Sequence, residues 1–183
     1  MNNSSIPSWG SSRNGLIGVL ALNLSIAATI LFVRSIYFIE GYPMMDYINQ
    51  IFNNVVLQAS LFAHKPWTLF TYNWILVDYW SLFINMFWLF LFGNILLQSG
   101  ANRHIFPVYF YTGILGGLLY ILSGSTSILL GQDMSIIAIA FAAFAYAPKY
   151  AIFDKAFPKI TTQYFLVLYL IFFGILHKNG NLI

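Results

Sequence analysis

Long apolar runs set off by short polar stretches organise this chain. The first extends from about Gly15 to Val33, broken only by Asn23 and Ser25, and stops at Arg34. Four more follow at about Trp74–Leu97, Ile105–Leu122, Ile128–Ala147 and Ile160–Leu176. About 20 apolar residues is the length a helix needs to cross roughly 30 Å of hydrocarbon. Inside hydrocarbon every backbone N–H and C=O must be satisfied within the chain, so such runs are predicted as helices and not as strands. The fold class predicted is therefore all-α, a polytopic membrane bundle with five transmembrane helices, and the stem of Arg34 can snorkel to the interface. A cleaved signal peptide is the rival reading of the first run. One Arg before it and no convincing small-residue cleavage site argue against that reading.

Between the first two runs, Pro43 to Lys65 is too polar to cross a bilayer. Met44, Ile48, Ile51, Phe52, Val55, Ala59 and Phe62 recur at helical spacing, with Asp46, Asn49, Gln50, Asn53, Asn54 and Gln58 on the opposite side. That pattern predicts an amphipathic helix over about 44–62 lying in the interface. It reads either as a sensor of lipid or partner or as a loop packed on the rim of the bundle, and the second is favoured. Residues 1–14, MNNSSIPSWGSSRN, read as a disordered polar tail, and 15–183 as one membrane domain with no internal repeat and no linker.

Composition agrees with the pattern: 60% hydrophobic, 7% charged and a mean hydropathy of +0.76. A soluble domain carries about a quarter charged residues, and a disordered chain lacks the 18 Phe, 12 Tyr and 5 Trp found here, so both classes are excluded. With no cysteine there is no thiolate metal site, Cys nucleophile or disulfide. A net charge of +3 without basic clusters gives nucleic acid nothing to bind. With the amino terminus cytoplasmic, Arg13, Arg103, Lys149, Lys155 and Lys159 fall on the cytoplasmic side and Arg34, Lys65 and Lys178 on the other. Five against three favours that orientation and places the carboxyl terminus outside.

Two lines of small residues mark close packing. Gly113 and Gly117 form a GxxxG in the third span, and Gly131, Ser135, Ala138, Ala142 and Ala145 share one face of the fourth. Packing within the bundle is the commoner explanation of both. Asp133 costs on the order of 2.5 to 3.5 kcal/mol at mid-bilayer. It is predicted to cap the fourth helix, or else to meet Asn85 or a partner. Asp78 and Glu40 read as solvated at the same outer surface.

Three stretches in order, HKPWTLFTY (His64–Tyr72), INMFWLFLFGNIL (Ile84–Leu96) and YFYTGILGGLLY (Tyr109–Tyr120), with the LLG before the fourth span, resemble the rhomboid family of intramembrane serine proteases. The resemblance covers roughly half the chain. It implies a rhomboid-like helical bundle in a bacterial inner membrane. It also implies a serine in a Gly-x-Ser-Gly motif at the head of the fourth helix, a histidine base on a sixth helix, and polar groups on the second to hold an oxyanion. At the matching positions this chain reads Gly131, Gln132, Asp133, Met134, with aspartate in the serine's place. An acyl-aspartate would be a mixed anhydride, and its charge would oppose an oxyanion. Ser135 lies about 200° round the helix from that position. The family's His-x-x-x-Asn falls on Ser81 to Asn85, keeping the amide and losing the histidine. The sequence given ends at Ile183, so no sixth helix is expected within it. His64, His104 and His177 sit at or beyond span ends, too dispersed for a metal cluster.

No catalytic, cofactor-binding or metal-ligating residue is therefore assigned, no cofactor is called for, and the chain is not expected to be an enzyme. The function expected is that of a catalytically inactive rhomboid-like pseudoprotease, a structural or partner-binding subunit of a larger membrane complex. Its partners would be lipid and other integral membrane proteins, packing on the Gly131/Ser135/Ala138/Ala142/Ala145 face in a hetero-oligomer, since in an active rhomboid that face packs the sixth helix. The alternatives are an active intramembrane serine hydrolase using Ser135 or a partner's histidine, and a small transporter. For the last, Asn23, Asn85, Asn94, Gln132 and Asp133 are few and scattered.

Overall fold

The computed structural model describes residues 14–75, 79–150 and 161–178. Arg13, Asp78, Lys155 and Lys159, and the polar tail before Asn14, lie outside the described residues. The first helix, α1 (Asn14–Ile39), runs past the predicted stop at Val33, because Arg34 is as good a helix former as its neighbours. On its outward side Ser25, Thr29 and Ser35 each donate their hydroxyl to the carbonyl four residues back, at 2.7, 2.9 and 2.8 Å, which satisfies them without water. The helix ends in a Schellman turn. Gly41 takes φ +71°, its N–H reaches the Phe38 carbonyl, and the Tyr42 N–H reaches that of Tyr37. Gly41→Ala is expected to cost about 1 to 2 kcal/mol from the left-handed backbone alone, seen as a lower unfolding temperature in detergent.

The helix predicted over 44–62 is not continuous. Helical backbone runs through α2 (Met44–Tyr47), a π turn (Ile48–Phe52) and α3 (Asn53–Val55), then breaks at Val56. Two long-range contacts stop it there. Leu57 exchanges both backbone hydrogen bonds with Leu129, at 3.0 and 2.8 Å. The last three carbonyls, of Asn53, Asn54 and Val55, are taken by Lys65 Nζ (3.1 Å), Trp67 Nε1 (2.8 Å) and Thr71 Oγ1 (2.6 Å). Helix-end carbonyls need such partners, and the cation also suits the negative end of the dipole.

A 3-10 turn (Ala59–Leu61), α4 (Thr68–Thr71) and a second 3-10 turn (Tyr72–Trp74) carry the chain back into the bundle. There follow α5 (Tyr79–Gln98), α6 (Ile105–Leu122), α7 (Asp133–Tyr146) and α8 (Thr162–Lys178). Helix α7 packs between α5 and α6, α1 lies against α5 and α6, and α8 joins through α7. The core gathers Leu16 and Val19 from α1, Leu89, Phe92 and Ile95 from α5, Ile105 and Tyr109 from α6, and Ile136, Ile139 and Ala140 from α7. Tyr169 of α8 sets its ring 5.1 Å from Trp88 and 5.6 Å from Phe92.

The result is an all-α bundle of apolar helices. Of its five long apolar helices three are long enough alone to cross a membrane, and α7 and α8 are shorter. The connection from Ser123 to Gln132 explains α7: Leu129 is committed to Leu57 and Gly131 turns at φ +94°, so the helix starts at Asp133 and not near Ile128. The small-residue line on α7 also needs correction. Gly131 precedes the helix, and Ser135 is buried inside the fold together with Ile136, Ile139, Ala140 and Ala143. That buried stripe is centred about 100° round the helix from the alanine line. Ala138 and Ala142 are left half-buried on its flank, and Ala145 is exposed.

Candidate functional site

The polar residues of the bundle converge on the head of α7. Gln132 occupies the N-cap position and makes no side-chain cap bond, while Asp133 is the first helical residue, so the expected capping role falls one position away. Asp133 still meets the positive end of the helix dipole. Across from it, Asn85 Nδ2 of α5 donates to Asp133 Oδ1 over a long 3.5 Å, so the pair anticipated from the sequence is brought together. Ser81, one turn before Asn85, is half-buried.

Ser135 points the other way, as the helical rotation requires. Its hydroxyl is fully buried and donates toward the Tyr109 carbonyl at 2.7 Å and Asn73 Oδ1 at 3.0 Å. Both acceptors are amide-type oxygens, which receive a hydrogen bond but do not take up a proton near neutrality. The Tyr109 phenol stands between two further amides, 2.5 Å from Gln132 Oε1 and 3.2 Å from Asn23 Oδ1. It has one proton for two oxygens. Turning the Gln132 amide over presents Nε2, otherwise buried without a partner, to the phenol's lone pair and leaves the phenol proton for Asn23 Oδ1. Asn23 Nδ2 in turn donates to the Val19 carbonyl at 2.9 Å.

The glycines of α6 admit this network. Gly113, Gly116 and Gly117 are buried against the turn at Thr68–Trp74, so the GxxxG serves packing within the chain, against a re-entrant loop. The Tyr72 phenol donates to the Gly113 carbonyl, and the Gly131 N–H donates to the Tyr72 carbonyl at 3.0 Å. Burial pushes the Tyr72 phenol up to about 12, so it stays a neutral donor.

His64 is exposed on the loop, and His104 is occupied elsewhere: its Nε2 accepts from Arg103 Nε at 3.1 Å and its ring stacks on Tyr146. His177 lies on the backbone of α8 near its end. Among the described residues no group of three or more His, Asp or Glu is placed to hold a metal ion. Tyr109, Asn73 and Tyr72 were not singled out by sequence reasoning. The one available signal was that Tyr109 opens the stretch holding the glycines and polar Asn73 directly follows the stretch ending at Tyr72, and nothing in one sequence says that they meet.

Comparison with known families bears on these same elements. The Rhomboid domain model matches residues 63–182, from the loop before α4 through α8. The chain belongs to the rhomboid family. Searches of curated proteins and of solved structures gave no match. Members of the rhomboid family are typically proteases, and this rhomboid domain, with its apolar helices, makes the chain an integral membrane protein.

Proposed function

We propose that this rhomboid-family chain is a pseudoprotease, which binds other integral membrane proteins without cleaving them and serves as a subunit of a larger membrane complex. The observation that supports the reading is the state of the hydroxyl nearest the family's nucleophile position: Ser135 is buried, and both oxygens that accept from it are amide-type. A serine becomes a nucleophile only when a base within hydrogen-bond reach removes its proton. Asp133, in the position itself, supplies a carboxylate that meets Asn85 and the helix dipole. The partner's helix packs along Ala138, Ala142 and Ala145, where small side chains let backbones approach. The chain sits in a bacterial inner membrane with its amino terminus cytoplasmic and its carboxyl terminus outside.

A fluorophosphonate probe tests the chemistry. The membrane-embedded protein is expected to remain unlabelled, whereas labelling lost on Ser135→Ala would establish an active hydrolase and end the proposal. Binding is tested with single cysteines, since the chain has none of its own. Ala145→Cys in native membranes is expected to crosslink to another membrane protein, and Gly18→Cys is not. Equal crosslinking from both positions, or from neither, would count against a partner on this flank.

A further inference from the structure

The outward side of α5 carries a line of residues that neither the bundle nor the polar network uses. Trp80, Phe83, Phe87, Phe90, Asn94 and Leu97 follow one another at intervals of three and four, the heptad spacing of a coiled-coil seam. They occupy about 100° of the helix surface, opposite the side on which the bundle buries Leu89, Phe92 and Leu96. Between Trp80 and Leu97 the four aromatic residues are the exposed ones, each by half to two-thirds, and the rings of Trp80 and Phe83 stack at 6.1 Å. Asn94 and Leu97 are half-buried.

Asn94 decides what covers this face. Acyl chains cover aromatic rings as well as a protein does, so the rings alone call for no partner. The amide differs, because among the described residues neither its Nδ2 nor its Oδ1 has a hydrogen-bond partner. Asn23, by contrast, donates to the carbonyl four residues back. Asn94 stands about one turn inside the apolar span Trp80–Gln98, where hydrocarbon supplies neither donor nor acceptor and an unsatisfied polar group is costly.

The geometry points to a two-fold homodimer in which α5 packs along α5 of a second copy and the two Asn94 amides bond to each other. Copies of one chain share one orientation in the membrane, so their α5 helices run parallel, and about a two-fold axis each seam residue meets its own counterpart. An amide is donor and acceptor at once, which makes Asn94 complementary to itself: Nδ2 of each copy donates to Oδ1 of the other. One polar amide in an otherwise apolar heptad seam fixes register and oligomeric state. The aromatic residues fill the rest of the seam as offset or edge-on pairs. The seam lies on a different helix from the alanine flank of α7, and it does not depend on whether the chain cleaves anything.

Single cysteines in the full chain, oxidised in native membranes, test the contact. Phe87→Cys and Phe90→Cys are expected to yield a disulfide-linked dimer that mass spectrometry shows to contain this chain alone, and Leu115→Cys, exposed on α6, is not. In mild detergent the unaltered chain is expected to pass from monomer to dimer as its concentration rises. Asn94→Leu is expected to dimerise about tenfold more weakly, the factor that one interhelical hydrogen bond at the strong end of its range provides. Leucine suits an apolar helix, so folding is not at stake in that variant. A linked product containing a different protein, equal linking from Leu115→Cys and Phe90→Cys, or an Asn94→Leu chain that dimerises as tightly as the unaltered one would each overturn the assignment.

Discussion

Alanine at Gly117 is expected to destabilise the bundle by about 1 to 3 kcal/mol, the cost of forcing an extra carbon into a filled core. A β-carbon there would stand 2.7 Å from Leu69 Cδ1, 2.9 Å from Tyr72 Cε1 and 3.2 Å from Leu57 Cδ2. The two leucine tips can swing aside, but the Tyr72 ring cannot move freely. Its phenol is bonded to the Gly113 carbonyl, and its own carbonyl holds the Gly131 N–H. The strain therefore passes to the loop, and cleavage by chymotrypsin at exposed Trp67 or Phe70 is expected to accelerate together with a fall in unfolding temperature. Gly113→Ala would push on the Asn73 amide, 2.9 Å from the new carbon, and through it on Ser135. Gly18→Ala is the control. Nothing lies within 4 Å of that position, and alanine in a helix interior is better than glycine by roughly 0.5 to 1 kcal/mol, so stability should rise or hold. A Gly117→Ala protein as stable and as protease-resistant as the unaltered chain would show that the loop is not wedged on α6.

What could be read in the sequence was whatever depends on neighbours along the chain. The span at Ile105–Leu122 coincides with α6 because apolar length and a following Ser-Gly decide both its ends locally. Asn85 and Asp133 could be paired beforehand, since a polar residue in an otherwise apolar run stands out and the family's order of elements says which runs face each other. The segment at 44–62 failed for the opposite reason. Its periodicity is real, but the break at Val56 is imposed by Leu129, more than seventy positions away, and by Lys65, Trp67 and Thr71 folding back on the carbonyls. The alanine line on α7 likewise marks a flank. Small residues looked like the packed face, yet Ile136 and Ile139 are what the bundle buries, because a core between three helices needs volume as much as closeness. Tyr109 was hidden by type: tyrosine in a membrane helix usually reports an interface, and only the fold shows that this one is at the centre.

That central tyrosine makes the second large effect. Tyr109→Phe keeps the ring and its 5.2 Å contact with Trp74 and removes one oxygen. Asn23 at 1% exposure and Gln132 at 0% then lose a shared partner while cut off from bulk solvent. Hydrogen bonds between membrane helices contribute roughly 0.6 to 2 kcal/mol each, so about 2 kcal/mol of stability is expected to go. The penalty belongs to the stranded amides more than to the missing phenol, which has a consequence that can be measured. Gln132→Leu alone leaves the phenol with Asn23 as its remaining amide partner, but Tyr109→Phe with Gln132→Leu removes both groups, and a pair replaced by apolar side chains costs far less than half a pair. The double variant is thus expected to be more stable than the sum of the two single losses by about 1 kcal/mol or more in a double-mutant cycle of unfolding in detergent. Strict additivity would mean that these groups do not act together, and that α1, α6 and α7 are held by shape alone. The same variants separate architecture from recognition. Below their unfolding temperatures, crosslinking through Ala145→Cys should survive in Tyr109→Phe, because the network faces the interior and the alanine flank faces outward.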